Sequence, residues 1–381
     1  MKLLHLGDLH LGKSLNDFDL IEDQRYILDQ ILDIIQEQNV KGVLLAGDIY
    51  DKSVPSEAAT NLLDYFLRRL VDLQVAVYMI SGNHDSDDRL NFGSSLFSAN
   101  RIFIAAKYDG TMHKYTAEDE NGEVNIYLLP FVKMSQVRHF YPEAEIETYE
   151  DAVRCVIENT GIDKSARNVI VAHQFVAGKG AGPRLGGSEG PAVQNVGLVE
   201  QIGYQTFDLF DYAALGHIHS PQSVGRDEVR YSGSMLKYSL SEVHSEKSVP
   251  VITMGKKGEV EIECIPLVPR RDLRHIKGEL KTLLAREKVE SPDDYMYVTL
   301  TDEDMIENAG GIIRQTYPNT VKIDYENSHT KNLEEVDLSQ IGEEKPFDEV
   351  FRDFYRLMYG CEISEEEMSY LMDVAKEAGI E

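Results

Sequence analysis

The chain has 381 residues, enough for two or three domains. Hydrophobic residues make up 42% and charged residues 27%, a globular composition that excludes global disorder. The 66 Asp and Glu against 38 Lys and Arg give a net charge of −28, which repels polyphosphates at long range and excludes a simple basic module that grips nucleic acid by counterion release. An enzyme that meets nucleic acid through bound metals, a local basic patch or a basic partner stays open.

No apolar run approaches the ~18 residues that span a bilayer. The opening MKLLHLGDLHLG is interrupted by His5, Gly7 and Asp8 and lacks the features of a signal peptide. Cys155, Cys264 and Cys361 are far apart, with no C-x-x-C, which argues against a disulfide framework and against a thiolate zinc site. A reducing cytoplasm is the natural setting.

The first 90 residues repeat one rhythm. An apolar run from Leu3 to Leu6 meets a polar turn, followed by Ile27, Leu28, Ile31, Leu32 and Ile35 at helical spacing. A second run, Val43 to Ala46, meets a second polar turn. Ser56 then caps a helix carrying Leu62, Leu63, Phe66, Leu67 and Leu70. A third run, Val75 to Ile80, ends at Ser81-Gly82. This alternation predicts α/β layering with parallel strands. Asn121-Gly122 reads as a hairpin turn. The Gly-rich 178–191 reads as a mobile loop. Further strands are expected at Val169–Ala172, Tyr212–Leu215, Arg230–Ser232, Val249–Met254 and Val260–Ile265.

Composition shifts near Pro269. Segment 270–288 holds seven Lys and Arg against three acids. A strand at Tyr295–Leu300, a helix starting near Asp302 and a strand at Val321–Tyr325 form a small β-α-β unit. Residues 331–345 read as a polar linker. Phe347, Val350, Phe351, Phe354 and Met358 make one helical stripe, and Ser364 with Glu367 is a capping box for a last helix.

Five polar clusters each follow a strand-like run: Asp8-Leu9-His10, Gly47-Asp48, Gly82-Asn83-His84-Asp85, His173, and Gly216-His217-Ile218-His219. Ligands gather at the carboxyl ends of strands in open α/β sheets, so these turns can bring seven O and N donors to one rim. Imidazole and carboxylate without thiolate suit Mn, Fe or Zn. Seven donors are too many for one tetrahedral ion and suit two ions roughly 3.5–4 Å apart that share a carboxylate, for which Asp48 is the natural bridge. A lone Asp, Asn or His after a strand is more often a turn residue or a cap. His5, His113, His139, His244, His275 and His329 are read that way, and it is the joint pattern of five clusters that points to a metal site.

Gly7 to Ser14 also matches the phosphate-binding pattern G-x-x-x-x-G-K-[ST]. A phosphate cradle works through bare backbone N–H groups, and Asp8 would add negative charge there. No long helix is expected at Lys13-Ser14, where Asn16, Asp17 and Asp19 intervene. The pattern also leaves the His and Asn clusters unexplained.

The five clusters together resemble the calcineurin-like metallophosphoesterases, whose D-x-H, G-D, G-N-H-[DE], H and G-H-x-H pattern is complete here. GNHDSDDRLNFGS (82–94), FDLFDYAALGHIHSPQ (207–222) and RYSGSMLKYSLSEVHSEKSV (230–249) resemble the bacterial SbcD family of Mre-type DNA repair nucleases. The resemblance implies an α/β sandwich of two mixed sheets flanked by helices, with a small α+β capping domain and a C-terminal helical tail. The domains would be a nuclease domain over 1–268, a capping domain over 269–330, a linker over 331–345 and a helical docking segment over 346–381.

It also implies two divalent cations, Mn2+ with Mg2+ as the other option. One would be held by Asp8, His10, Asp48 and His219, the other by Asp48, Asn83, His173 and His217. His84 would orient the phosphate or protonate the leaving oxygen, a role that suits imidazole near neutral pH, with Asp85 positioning His84. Some relatives carry a His where this chain has Asp51, so Asp51 stays outside the site. The implied activity is exonuclease action, 3′ to 5′, on double-stranded DNA ends and endonuclease action on hairpins, in ATP-dependent partnership with SbcC in a heterotetramer built on a homodimer. Segment 270–288 would contact DNA and the tail would bind SbcC. The alternatives are a small-molecule phosphatase or cyclic-nucleotide phosphodiesterase on the same metal site, and a non-catalytic scaffold, against which the complete ligand set argues.

Overall fold

The first three apolar runs form strands in which every residue but Lys2 is buried, as in a parallel sheet covered on both faces. They are β1 (Lys2–Leu6), β2 (Gly42–Ala46) and β3 (Ala76–Ile80), joined by helices α1 (Ile21–Glu37) and α2 (Glu57–Asp72). A computed structural model describes residues 1–178, 182–184, 201–327, 347–359 and 363–377. The expected stripe of α1 is buried throughout. Ser56 caps α2, its Oγ accepting from the Ala59 N–H at 3.2 Å. No helix starts at Lys13: a two-residue strand begins at Ser14 and α1 opens only at Ile21, so the phosphate-loop pattern lacks its helix.

Nine further strands complete the two main sheets: β4 (Ile102–Ala105), β5 (His113–Asp119), β6 (Gly122–Leu129), β7 (Arg167–His173), β8 (Tyr212–Gly216), β9 (Gln222–Val224), β10 (Arg226–Tyr231), β11 (Ser248–Met254) and β12 (Val260–Pro266). Helix α3 (Tyr149–Asn159) lies between β6 and β7. The strands make two six-stranded mixed sheets, ordered β12-β11-β1-β2-β3-β4 and β9-β10-β8-β7-β6-β5. In the first, β1 to β4 are mutually parallel. In the second, β10, β8, β7 and β6 are parallel, with antiparallel β9 and β5 at the edges.

Strand alternation divides the apolar residues between two layers. Leu3, Leu44, Tyr78 and Ile80 of the first sheet meet Ile126, Val169, Val171 and Ala214 of the second, filling the space between the sheets. Tyr127, Ile170, Ala213 and Leu215 face the other way and pack with Val153, Val156 and Ile157 of α3. The hairpin turn differs by one residue from expectation. Asp119 pairs with Gly122, so Glu120 and Asn121 form the tip and Gly122 opens β6.

The chain divides into two compact units, Met1–Asp272 and Leu273–Glu381. The second holds three parallel strands, β13 (Leu273–Gly278), β14 (Tyr295–Leu300) and β15 (Thr320–Tyr325), and helix α4 (Ala309–Thr316). Met296, Val298, Leu300, Ile313 and Tyr317 form its core. The sheet therefore has one strand more than the expected β-α-β unit. The helix also starts later than Asp302, because that carboxylate instead accepts from the Leu280 N–H at 2.9 Å. Segment 270–288 contains β13. Three of its cations are tied up: Arg271 with Asp23, Arg274 with Glu290 and Asp294, and Lys277 with Glu326.

Helices α5 (Phe347–Tyr359) and α6 (Glu365–Glu377) close the chain. The capping box is present: Glu367 N–H donates to Ser364 Oγ at 3.2 Å, and Glu367 Oε2 accepts from the Ser364 N–H at 3.0 Å. Phe347, Val350 and Phe351 of the tail stripe are half-buried. The expected linker, His329 and residues 179–181 and 185–191 of the Gly-rich segment lie outside the described residues.

Candidate metal centre

Parallel strands of one sheet all point their carboxyl ends the same way, so the turns that leave them share a rim. Asp8 and His10 follow β1, Asp48 follows β2, and Asn83, His84 and Asp85 follow β3. His173 is the last residue of β7, and His217 and His219 follow β8. Four of these residues hold a left-handed backbone that side chains disfavour: Asp8 (φ 53°), His10 (42°), Asp48 (49°) and His217 (101°). Such residues cluster at functional sites when the surroundings hold them there. The ties are visible. Asp8 N–H donates to Gly47 O at 3.1 Å, His10 N–H to Asp48 O at 2.9 Å and His217 N–H to Asp8 Oδ1 at 2.9 Å.

Two glycines let the turns close in. A Cβ on Gly82 would stand 2.1 Å from Asp48 Oδ1, and one on Gly216 would stand 1.8 Å from the Ala46 carbonyl oxygen.

All seven expected ligands come together. Ligand atoms of Asp8, His10 and His219 lie within 4.8 Å of one another, as do those of Asp8, Asp48 and His173. Asp48 Oδ2 sits 3.6 Å from His10 Nε2 and 3.4 Å from His173 Nε2. Asn83 Oδ1 lies 3.1 Å from His173 Nε2 and 2.9 Å from His217 Nδ1. His10 Nε2 and His219 Nε2 are 3.0 Å apart. Asp8, His10, Asp48, His173 and His219 are buried, whereas His217 is partly exposed and Asn83 exposed.

The electrostatics fit a cation. Burial pushes the Asp8 carboxyl up to about 6, against the lowering pull of His173 and His219. Burial opposes ionisation of Asp48 too, but the charge of His173 beside it wins and holds Asp48 well below the usual carboxylate range. Burial likewise disfavours His173 imidazolium, yet Asp48 lifts it to about 9. Burial drives His10 well down, and burial with the His173 charge takes His217 to about 3. Asp8 Oδ2, buried, has no hydrogen-bond partner among the described residues. Oxygen and nitrogen donors thus converge in a space poor in solvent, the environment that a hard or borderline divalent ion satisfies.

The two residues singled out for catalysis differ in their surroundings. The His84 N–H donates to Asp48 Oδ1 at 2.9 Å, and its half-buried ring lies edge-on to His10 at 5.0 Å between centroids. The Asp85 carboxylate accepts from the N–H groups of Gly82 (2.9 Å), Ile49 (3.0 Å) and Tyr50 (3.0 Å). It clamps two turns together through their backbone, one of them the turn that carries His84. Burial, then the charge of Asp48, pushes its carboxyl up to about 6.

Asp51, left outside the expected site, takes Lys13 Nζ at 2.7 Å and lies 3.7 Å from His10 Nδ1. Sequence reasoning passed over several other neighbours. Glu242 lies 3.5 Å from His219 Nδ1 and pairs with Lys247 at 2.5 Å. Phe131 stacks on His217 at 6.4 Å, and Phe175 meets the same ring edge-on. Phe175 was within reach of sequence reasoning, because it stands two residues after His173 on an extended segment and so shares its side.

The fold and the rim define a metal-dependent phosphoesterase. A family model described as calcineurin-like phosphoesterase matches residues 1–221, and one described as the type 5 capsule protein repressor C-terminal domain matches residues 269–359. The SbcD component of the nuclease SbcCD from Staphylococcus epidermidis is 32% identical over 370 residues, covering 96% of this chain and 95% of that one. Among solved structures, a dimetal phosphatase from Danio rerio matches with a TM-score of 0.37 at 11% identity, over 70% of this chain and 99% of that one. A Thermus thermophilus protein matches with a TM-score of 0.39 at 10% identity, over 69% and 98%. The chain belongs to the calcineurin-like phosphoesterases and, within them, to the SbcD family.

Proposed function

We propose that the chain is the nuclease component of an SbcCD complex and hydrolyses phosphodiester bonds of double-stranded DNA ends, 3′ to 5′, and of hairpins. One observation carries this reading: Asp48 Oδ2 stands between His10 Nε2 and His173 Nε2, at 3.6 and 3.4 Å, with the other donors arrayed on either side. Asp8, His10, Asp48 and His219 would hold one cation, and Asp48, Asn83, His173 and His217 the other. Mn2+ fits this mixture of imidazole and carboxylate. When bound, the two ions supply Lewis acidity to a phosphodiester and lower the pKa of water.

The chain's own residues do the rest. His84 is anchored by its N–H to Asp48 while its ring stays half-exposed beside the donors. It orients the phosphate and gives a proton to the leaving oxygen. Asp85 keeps the His84 turn and the Asp48 turn in register.

The partners follow from the relative's name and from surfaces of this chain. SbcC supplies the ATPase, and the tail from residue 346 onward docks on it through the stripe that begins at Phe347, Val350 and Phe351. The second unit contacts DNA, through cations of segment 270–288. Phe92 and Leu96 are 83% and 76% exposed, an apolar surface that suits a second copy in a homodimer. The setting is the cytoplasm, in DNA repair, recombination and replication.

Metal analysis of the purified chain, paired with cleavage of blunt and hairpin duplexes in Mn2+ or Mg2+, with and without SbcC and ATP, tests the reading. Two ions per chain and duplex cleavage are expected. Turnover of a small diester with no action on duplex DNA would replace it with the small-molecule alternative.

A further inference from the structure

The turn that carries His219 rests on a buried ion pair. The Glu242 and Lys247 side chains are 0% and 4% exposed. Lys247 Nζ reaches three acceptors: Glu242 Oε2 at 2.5 Å, the His219 carbonyl at 2.8 Å and Ser234 Oγ at 2.9 Å. The ammonium thus has one acceptor for each of its protons. The second oxygen of Glu242 lies 3.5 Å from His219 Nδ1, the ring nitrogen turned away from the donor cluster. Ser234 N–H also donates to the His219 carbonyl, at 3.1 Å.

A buried pair of charges is a poor source of stability. Apolar residues of similar volume commonly do as well or better, so charge kept here calls for another reason. A carboxylate on the far nitrogen of a ligating imidazole fixes its tautomer, aims its free lone pair and makes it more basic. The other side of the site is built differently: His173 Nδ1 bonds the neutral Ala46 carbonyl at 2.8 Å.

We propose that Glu242 and Lys247 are positioning residues that lock His219 as a ligand and set the affinity of one of the two metal positions, leaving the other unaffected. The inference rests on the two-cation reading above. Glu242 aims the ring, and Lys247 holds both Glu242 and the His219 main chain, so the pair acts as one unit on both ends of the ligand.

The test is Mn2+ titration of the full, metal-stripped chain by calorimetry. Wild type is compared with Glu242→Gln and with the double variant Glu242→Met/Lys247→Met, which removes both charges and keeps the volume. Circular dichroism of each metal-free protein accompanies the titration. The expected result is two ions bound by every protein, with the affinity of one reduced about 10- to 100-fold in both variants and that of the other unchanged. A purely structural pair would move both affinities together or neither. Wild-type affinity at both positions, equal weakening at both, or two variants that fail to fold without metal would each overturn the proposal. A wild-type chain that binds no ions would instead sink the two-cation reading itself.

Discussion

Replacing Gly216 with alanine adds a single methyl group at a point where the two sheets nearly touch. The new Cβ would stand 1.8 Å from the Ala46 carbonyl oxygen and 2.7 Å from His173 Nδ1. Real Cβ atoms do not approach heavy atoms closer than 3.0 Å, so the end of β8 must withdraw from β2 by more than about 1 Å. The His173–Ala46 hydrogen bond, now 2.8 Å, spans that gap and would be lost or bent. Overpacking costs roughly 1–3 kcal/mol and a buried carbonyl left without its donor roughly 1–3 more. The total of about 2–6 kcal/mol should lower the melting temperature by roughly 5–20 °C, at ~2–4 °C per kcal/mol for a unit of this size. The same shift turns His173 away from Asn83 and Asp48, so Mn2+ uptake should weaken as well. Differential scanning fluorimetry of the metal-free variant, followed by Mn2+ titration, measures both. A variant that melts within about 2 °C of wild type and binds metal equally well would refute the packing argument.

His84→Ala should keep both metals and lose cleavage, which metal analysis beside a duplex nuclease assay would show; loss of metal would make His84 a ligand. Metal uptake should depend on pH, because His173, lifted to about 9 without metal, must give up its proton, whereas His10 and His217 are already neutral. Affinity should rise about tenfold per pH unit from about 6 to 9, and more steeply below about 6 where Asp8 also carries a proton; calorimetry in two buffers at about pH 7.5 that finds no proton release would contradict this. Asp119, held below the usual carboxylate range mainly by Arg167 and also by the Met1 amine, stabilises the fold above about pH 4 and loses that contribution as pH falls through its lowered pKa. Asp119→Asn should therefore cost roughly 3 kcal/mol at neutral pH, with the difference from wild type shrinking in acid, as urea melts at several pH values would report.

What the sequence made legible was whatever local chemistry alone decides. Apolar runs broken by polar turns gave the parallel strands, and Ser56 and Ser364 gave their caps, because a cap is satisfied within three residues of itself. The rim was legible for a related reason: strand direction decides where a turn residue ends up, so the turns after β1, β2 and β3 share one end of the first sheet and the ends of β7 and β8 share one end of the second, while the packing of the two sheets against each other was not legible. Glu242 and Lys247 were not legible. Their stretch, SLSEVHSEK, has the composition of a solvated loop, and only tertiary packing buries Glu242 and Lys247 within it. The partners of Asp85 were not legible either, because successive side chains in a tight turn diverge and a short carboxylate finds backbone N–H groups first. Asp302 was read as a helix start, and its carboxylate serves the turn at Leu280 instead.

The rim concentrates unfavourable terms that an ordinary turn avoids. Asp8, His10, Asp48 and His217 each hold a left-handed backbone at a cost of order 1 kcal/mol. Asp8, Asp48 and Asp85 bring three carboxyl groups into one poorly solvated space. Without a cation, the charge is managed by protons: His173 stays imidazolium against Asp48, while burial favours the protonated form of Asp8 and Asp85. Asp8, Asp48 and His173 would hold a divalent ion in place of the protons they share, so the terms that weaken the metal-free rim would favour metal binding. The ladder bonds of β1, β2, β7 and β8 hold the backbone in place meanwhile, and the donors are therefore already near their places when an ion arrives. Removing the strain, for instance with glycine at position 8 or 48, would remove a carboxylate along with it, which is why the fold keeps side chains where backbone geometry alone would favour none.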